Sequence, residues 1–148
     1  MPTGARKDPF RNSRFILEID GIVHSGFTEV IISSNSIEVV ESMEGNENPT
    51  SARKLPGLIK YSNIILKRGI TASLELYNWY KGVEDGKIST SRKNVSIILL
   101  DKRGKEQARW DFVKAWPVKY SGPCLNAIGN EIAVETLEIA HEGMTRTK

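Results

Sequence analysis

Asn94 to Leu100 is apolar on both of its alternating faces, and the charged turn Asp101-Lys102-Arg103-Gly104-Lys105 leads from it into a return run from about Glu106 to Ala115. Two such runs joined by a short glycine-containing turn predict an antiparallel hairpin. On the return run Ala108, Trp110, Phe112, Lys114 and Trp116 share one face by period two, and Arg109, Asp111 and Val113 share the other. An aromatic face beside a strand that is apolar on both sides suits a protein core. The chain is therefore expected to be built around β-structure.

The flanking sequence extends that reading. Phe15, Leu17 and Ile19 alternate with Ile16, Glu18 and Asp20, and the turn dipeptide Asp20-Gly21 precedes Ile22-Val23, which predicts a first hairpin. Phe27 to Ser33 and Ile37 to Ser42 are rich in β-branched residues and are expected as two further strands of a meander. From Glu44 to Tyr61 the Gly, Asn and Pro content abolishes any period, so residues 43–61 are expected to form one long loop. Ser62 to Arg68 returns to a strand, with Ile64 and Leu66 on one face and Ile65 on the other. The one helical pattern runs from Thr71 to Glu84, with Leu76, Trp79, Tyr80 and Val83 at spacings of three and four. Thr71 or Ser73 can serve as its N-cap, and Asp85-Gly86 ends it. Pro117, Gly122 and Pro123 break the chain until Glu131 to His141, a last strand anchored by Ile132, Val134, Leu137 and Ile139 that is expected to pair with an earlier, non-neighbouring strand.

Many strands and one helix exclude a parallel α/β sheet. The expected fold is mainly β: a small antiparallel β-barrel or sandwich with one flanking α-helix at about residues 71–85. At 148 residues it is read as a single domain, with an ordered core over about 10–143 and mobile ends at 1–9 and 144–148.

Composition narrows the chemistry. Lys plus Arg total 21 against 18 acids, a net charge of +3, too small to mark a nucleic-acid surface unless clustered on one face. The longest unbroken apolar stretch, Ile97 to Leu100, falls far short of the ~20 residues of a membrane-spanning helix, so no membrane insertion is expected. The polar start, Met1 to Asp8, lacks the apolar core of a secretory signal, and synthesis in the cytoplasm is the expectation. Cys124 is the single cysteine, which rules out an internal disulfide or a multi-thiolate metal site. No metal-ligand spacing, phosphate-cradling glycine loop or dinucleotide fingerprint is found, so no cofactor, metal or catalytic residue is assigned. A hydrolase would have to be built from His24 or His141 with Cys124 or a serine, and no spacing supports that. A barrel with a helix between strands also resembles an OB-fold. Arg103, Arg109, Trp110 and Trp116 would then supply cations and stacking rings to a single-stranded nucleic acid. The remaining class is an interaction protein whose open sheet edges are covered by other chains.

Several strings in order carry a more specific resemblance. Lys54-Leu55-Pro56-Gly57-Leu58-Ile59-Lys60-Tyr61 followed by Asn63 to Ile70, then Leu76-Tyr77-Asn78-Trp79-Tyr80, Asn94 to Asp101, Trp110 to Pro117 and Asn130 to Glu138 resemble the tail-tube proteins of contractile phages and phage-derived extracellular injection systems. The match runs from about Phe10 to Gly143. The resemblance implies a fold related to the haemolysin-coregulated tube proteins and no enzymatic activity. It implies a structural subunit forming hexameric rings stacked into a tube, in a virion tail or injection particle. Implied partners are further copies of itself, the sheath protein, baseplate and hub proteins, and DNA or effector-protein cargo. A tube-initiator paralogue at the baseplate would share the same strings. By the same resemblance, the 43–61 loop would reach a neighbouring subunit or ring through Leu55, Pro56, Leu58 and Ile59. Alternation offers Glu38, Ser42, Asn63, Lys67, Glu131 and Glu135 as candidates to face the channel.

Overall fold

The computed structural model describes residues 14–24, 26–32, 34–42 and 52–148. Strands β1 (Phe15–Ile19), β2 (Ile22–His24), β3 (Phe27–Ile31), β4 (Asn35–Ser42), β5 (Arg53–Tyr61) and β6 (Ile64–Gly69) come first. Helices α1 (Glu75–Glu84) and α2 (Ile88–Ser91) follow, and then β7 (Lys93–Leu100), β8 (Glu106–Ser121), β9 (Val134–Ala140) and β10 (Gly143–Arg146). One antiparallel sheet runs β2-β1-β7-β8-β9-β6-β3, with β10 added on β8, and β4 and β5 form a separate two-stranded sheet. Among the described residues β2 and β3 end the path unjoined, so the main sheet is folded over into a sandwich rather than closed by hydrogen bonds.

The fold-over is built into β8. Its first part pairs with β7 and its last part, Trp116 to Ser121, pairs with β9, so one strand serves both halves. At the junction Lys114 takes a φ of 51° and the ladder to β7 slips between Lys93 and Val95. A β-bulge of this kind sharpens bend and twist. It also displaces the alternation by one residue, so Phe112 and Ala115 both point into the core. The inward set of both halves, including Leu17, Ile64, Leu66, Val95, Ile97, Phe112, Leu137 and Ile139, makes one buried cluster, and Leu76 and Trp79 of α1 close it. Trp79 also donates its indole N–H to the Ser91 carbonyl at 2.6 Å, which ties α1 to α2.

The helix stops where its sequence indicates but starts at Glu75, four residues later than Thr71, and its N-cap is Leu74, with no side-chain cap bond of its own, and not Thr71 or Ser73. Ser73 Oγ accepts the Glu75 N–H, and Gly86, at a φ of 86°, donates back to the Val83 carbonyl. The first hairpin, the 94–115 hairpin and the pairing of β9 with the distant β6 are likewise found where the sequence places them.

Other expectations are corrected. There is no meander through β3 and β4, because β3 pairs with β6 and β4 with β5. Residues 53–61 are a strand and not loop, while 43–51 and the end at 1–9 lie outside the described residues. Pro117 does not break β8: it is fully buried opposite Ile139, and the ladder slips just after it, where a missing N–H is tolerated. The same bulge puts Trp116 opposite Ala140, off the face shared by Trp110 and Phe112. The last strand begins at Val134, so Ile132 is no anchor but lies exposed before it. Residues 143–146 form β10 against Trp110 to Val113 and are not a loose tail.

Candidate assembly surfaces

The β4–β5 pair is an arm that no other strand among the described residues joins. Ile37, Val39 and Val40 on β4 and Leu55, Leu58 and Ile59 on β5 are all exposed, with Leu58 71% accessible. Because both faces are open, nothing inside the subunit imposes a period of two on this segment. Pro56 sits opposite Val39, and a proline is tolerated here because in a two-stranded sheet each strand is an edge. Gly57 is required by close approach: a Cβ there would lie 2.8 Å from Val40 Cγ2 and 3.1 Å from the Glu38 carbonyl oxygen. Contiguous aliphatic exposure of this extent marks an interaction surface. Leu55, Pro56, Leu58 and Ile59, the contact residues expected from the sequence, are all exposed on this arm, beside the exposed Ile37, Val39 and Val40 of β4.

A second surface is the outer face of β3, β6, β9 and β8. In register across it stand Glu29, Lys67 and Thr136, and Ile65, Glu138 and Lys119. Lys67 Nζ lies 3.4 Å from Glu29 Oε2, and Asn63 donates to Glu138 at 3.1 Å. The face is polar, of mixed charge, and continuous over four strands.

Behind it, inside the fold, Arg68 pairs with Glu135 at 3.2 Å, and Tyr120 donates to the other oxygen of Glu135 at 2.8 Å. Burial and the neighbouring Glu135 carboxylate push the Tyr120 phenol up to about 12, so it stays a donor at any physiological pH. The Arg68 guanidinium lies 5.8 Å from the Phe27 ring centre.

The six channel-facing candidates do not make one surface. Lys67 and Asn63 belong to or border the polar outer face; Glu38 and Ser42 are on the arm, and Glu131 is exposed in the segment between β8 and β9. Glu135 is only 7% accessible and faces the interior, because it shares the parity of Leu137 and Ile139. Its assignment to a channel wall is withdrawn. Lys119, Ser121, Thr136 and Glu138 are the members of the outer face that the sequence reading missed; the parity of Leu137 and Ile139 would have found the last two.

Of the residues named for other chemistries, Arg109, Trp110 and both histidines are engaged within the subunit. Arg109 bonds Glu18 at 2.9 Å and Asp111 at 3.0 Å, and Trp110 packs against the core with Arg146 5.6 Å from its ring centre. Burial raises the Asp111 carboxyl, but hydrogen bonds from Ser96, Arg109 and Thr147 outweigh it and hold the group below its usual value. His24 pairs with Glu75 at 2.8 Å and His141 with the Ser62 carbonyl at 3.1 Å. Cys124 is exposed, and among the described residues no hydrogen bond joins it to either histidine.

A family profile described as T4-like virus tail tube protein gp19 matches residues 11–145. Among solved structures, the anti-feeding prophage cap (AFP tube terminating cap) is similar at a TM-score of 0.83 and 23% identity, over 99% of this chain and 95% of that one. The sheath–tube complex of an extracellular contractile injection system (PVC) in its extended state aligns at a TM-score of 0.78 and 23% identity, over 94% and 91%. Hcp1 from Flavobacterium johnsoniae shares the fold more distantly, at a TM-score of 0.52 and 17% identity over 90% and 94%. The comparison with curated proteins finds no match.

Proposed function

Since the chain belongs to the T4-like virus tail tube protein gp19 family, we propose that it is the repeating subunit of the inner tube of a contractile tail or injection particle, built from hexameric rings stacked around a channel. The observation that carries this reading is the β4–β5 arm, which leaves aliphatic side chains of both strands exposed and unmatched within the subunit. A head-to-tail contact that closes by rotation gives a ring, and one that advances along an axis gives a filament. A subunit whose β2 and β3 edges are unpaired among the described residues, and which also carries an apolar arm, has surfaces for both.

The outer face of β3, β6, β9 and β8 is the surface we assign to the channel. Its Lys67–Glu29 and Asn63–Glu138 contacts occupy polar groups among themselves, which leaves moving cargo, DNA or effector protein, with few strong points of attachment. The opposite side of the ring would meet the sheath, and the first ring would meet baseplate and hub proteins. The particle is assembled from cytoplasmic subunits and carries them in its tail. The energy for penetration then comes from the sheath.

Electron microscopy of the purified protein tests this reading. Class averages with sixfold symmetry and a central hole are expected, and long tubes separate a main subunit from an initiator or terminal ring, which would stop at single rings. Averages without rotational symmetry would overturn it.

A further inference from the structure

The arm meets the rest of the subunit at its root. There β5 ends at Tyr61, Ser62 and Asn63 carry the chain round, and β6 starts at Ile64. No element among the described residues packs along the arm's length, so the contacts at the root set the direction in which it projects. His141, which follows β9, stands at that root. Its Nε2 lies 3.1 Å from the Ser62 carbonyl oxygen, and its ring centre lies 5.4 Å from that of Tyr61 and 4.8 Å from that of Phe112. One side chain thus touches the last residue of the arm, the turn beyond it and the core. A second tie, from Asn35 Nδ2 to Met144 Sδ at 3.7 Å, is a bond to a weak acceptor.

A carbonyl oxygen can only accept, so Nε2 carries the proton of the neutral ring and Nδ1 carries none. Nδ1 is buried and has no hydrogen-bond partner. A second proton on Nδ1 would therefore bring a positive charge into a site without a counter-ion. The ring faces the Tyr61 phenol of β5, Phe112 of β8 and the Gly143 backbone of β10. Glu142, next in the chain, is turned to solvent and paired with Lys114 of β8 at 3.5 Å. No acidic side chain among the described residues bonds the ring. An unpaired buried charge is costly, and the cost is relieved by moving the ring into water, which breaks its hold on Ser62 and Tyr61.

We propose that His141 is the positioning residue of the arm: the neutral ring locks the direction of the β4–β5 pair, and the doubly protonated ring releases it, so that assembly requires the neutral form. The inference rests on the tube reading and adds a control on when the arm is set. Burial keeps the pKa of the locked ring below the ordinary 6.5, whereas a released ring titrates as in water. Release is thus favoured progressively as the pH falls below that ordinary value, by up to about 30-fold at pH 5.0.

Two nitroxide labels on the full chain read the arm against the body. Cys124, the single native thiol and exposed, is replaced by serine, and Leu58→Cys on the arm and Asn78→Cys on α1 are labelled, both at residues already in solvent. Double electron–electron resonance on the dilute, unassembled chain is expected to give one narrow distance distribution at pH 7.5 and a broad one at pH 5.0. His141→Gln keeps a side-chain N–H for the Ser62 carbonyl and does not titrate, so it should stay narrow at both. His141→Phe keeps a ring but no donor and should be broad at both. Unfolding midpoints of every chain at both pH values confirm that folded protein is compared. Assembly started from dilute unlabelled chain and read by pelleting should fall at pH 5.0 in the wild type and not in His141→Gln. A wild-type distribution equally narrow at both pH values, or broadening shared by His141→Gln, would overturn the lock. Equal wild-type pelleting at both pH values would overturn its bearing on assembly. Release confined to chains with His141, in a protein that forms no rings or tubes at any pH, would leave the lock standing and overturn the tube reading.

Discussion

Arg68 on β6 and Glu135 on β9 stand opposite each other in register and meet at 3.2 Å inside the sandwich, each less than a tenth accessible. Two charges in so dry a place are costly to bring in and more costly to separate. Tyr120 completes the arrangement from the neighbouring strand, so β6, β9 and β8 are joined by one polar knot beneath the face assigned to the channel. Truncating one partner, as in Glu135→Ala, is expected to cost about 3–5 kcal/mol in urea unfolding. The double variant Arg68→Met/Glu135→Leu should recover most of that loss, because no charge is then left unpaired. A double variant no more stable than the single one would show that the pair stabilises by something other than mutual compensation.

His141 gives a pH dependence whose sign can be worked out. Burial holds its pKa below the ordinary 6.5, with backbone contacts to Ser62 and Gly143 pulling weakly the other way. The folded state thus favours the neutral ring, which packs edge-on against Phe112 at 4.8 Å. Its contribution to stability is complete above the ordinary value and is lost as the pH falls below it towards the lower folded value. Urea midpoints should therefore drop between pH 7.5 and pH 5.5, and the drop should be smaller in His141→Gln. An equal drop in both proteins would assign the effect elsewhere.

Lys114 holds the bulge that carries β8 from one half of the sandwich to the other, at a φ of 51° that costs a non-glycine residue about 1–2 kcal/mol. Its ion pair with Glu142, 3.5 Å long and solvent-exposed, returns little. Lys114→Gly is expected to be neutral or to stabilise by up to ~1 kcal/mol, and Lys114→Val to destabilise by roughly 1–2 kcal/mol. Thermal unfolding of the two variants decides this; stabilisation by valine would mean that the backbone is not bent there.

Much of this fold is legible in the sequence wherever a strand has a dry side and a wet side. Leu17 and Ile19, Ile64 and Leu66, and Val95 and Ile97 announce themselves because the core enforces their alternation. The arm stayed hidden for the opposite reason: with both faces open, β5 shows no period, and Pro56 and Gly57 read as loop residues. Glu135 was misplaced because its charge was weighed above its parity with Leu137 and Ile139, and Trp116 because a bulge at Lys114 cannot be counted from spacing. Ile132 and Val134 are out of phase with Leu137 and Ile139, a signal that the strand starts late. Leu55, Leu58 and Ile59 stand out through resemblance alone, since periodicity has nothing to say there.

The arm residues themselves should matter to assembly and not to the subunit. Leu58→Asp/Ile59→Asp changes side chains already in water, so its unfolding free energy is expected to stay within about 0.5 kcal/mol of wild type.

Sedimentation velocity over a rising concentration series, with the wild type and Leu58→Asp/Ile59→Asp run side by side, tests self-assembly through the arm most directly. The wild type should pass from small species to rings and long tubes, while the variant stays folded and forms no tubes, stopping at single rings or smaller species. A wild type that sediments as a monomer at every concentration, or a variant that assembles as readily as its parent, would contradict it.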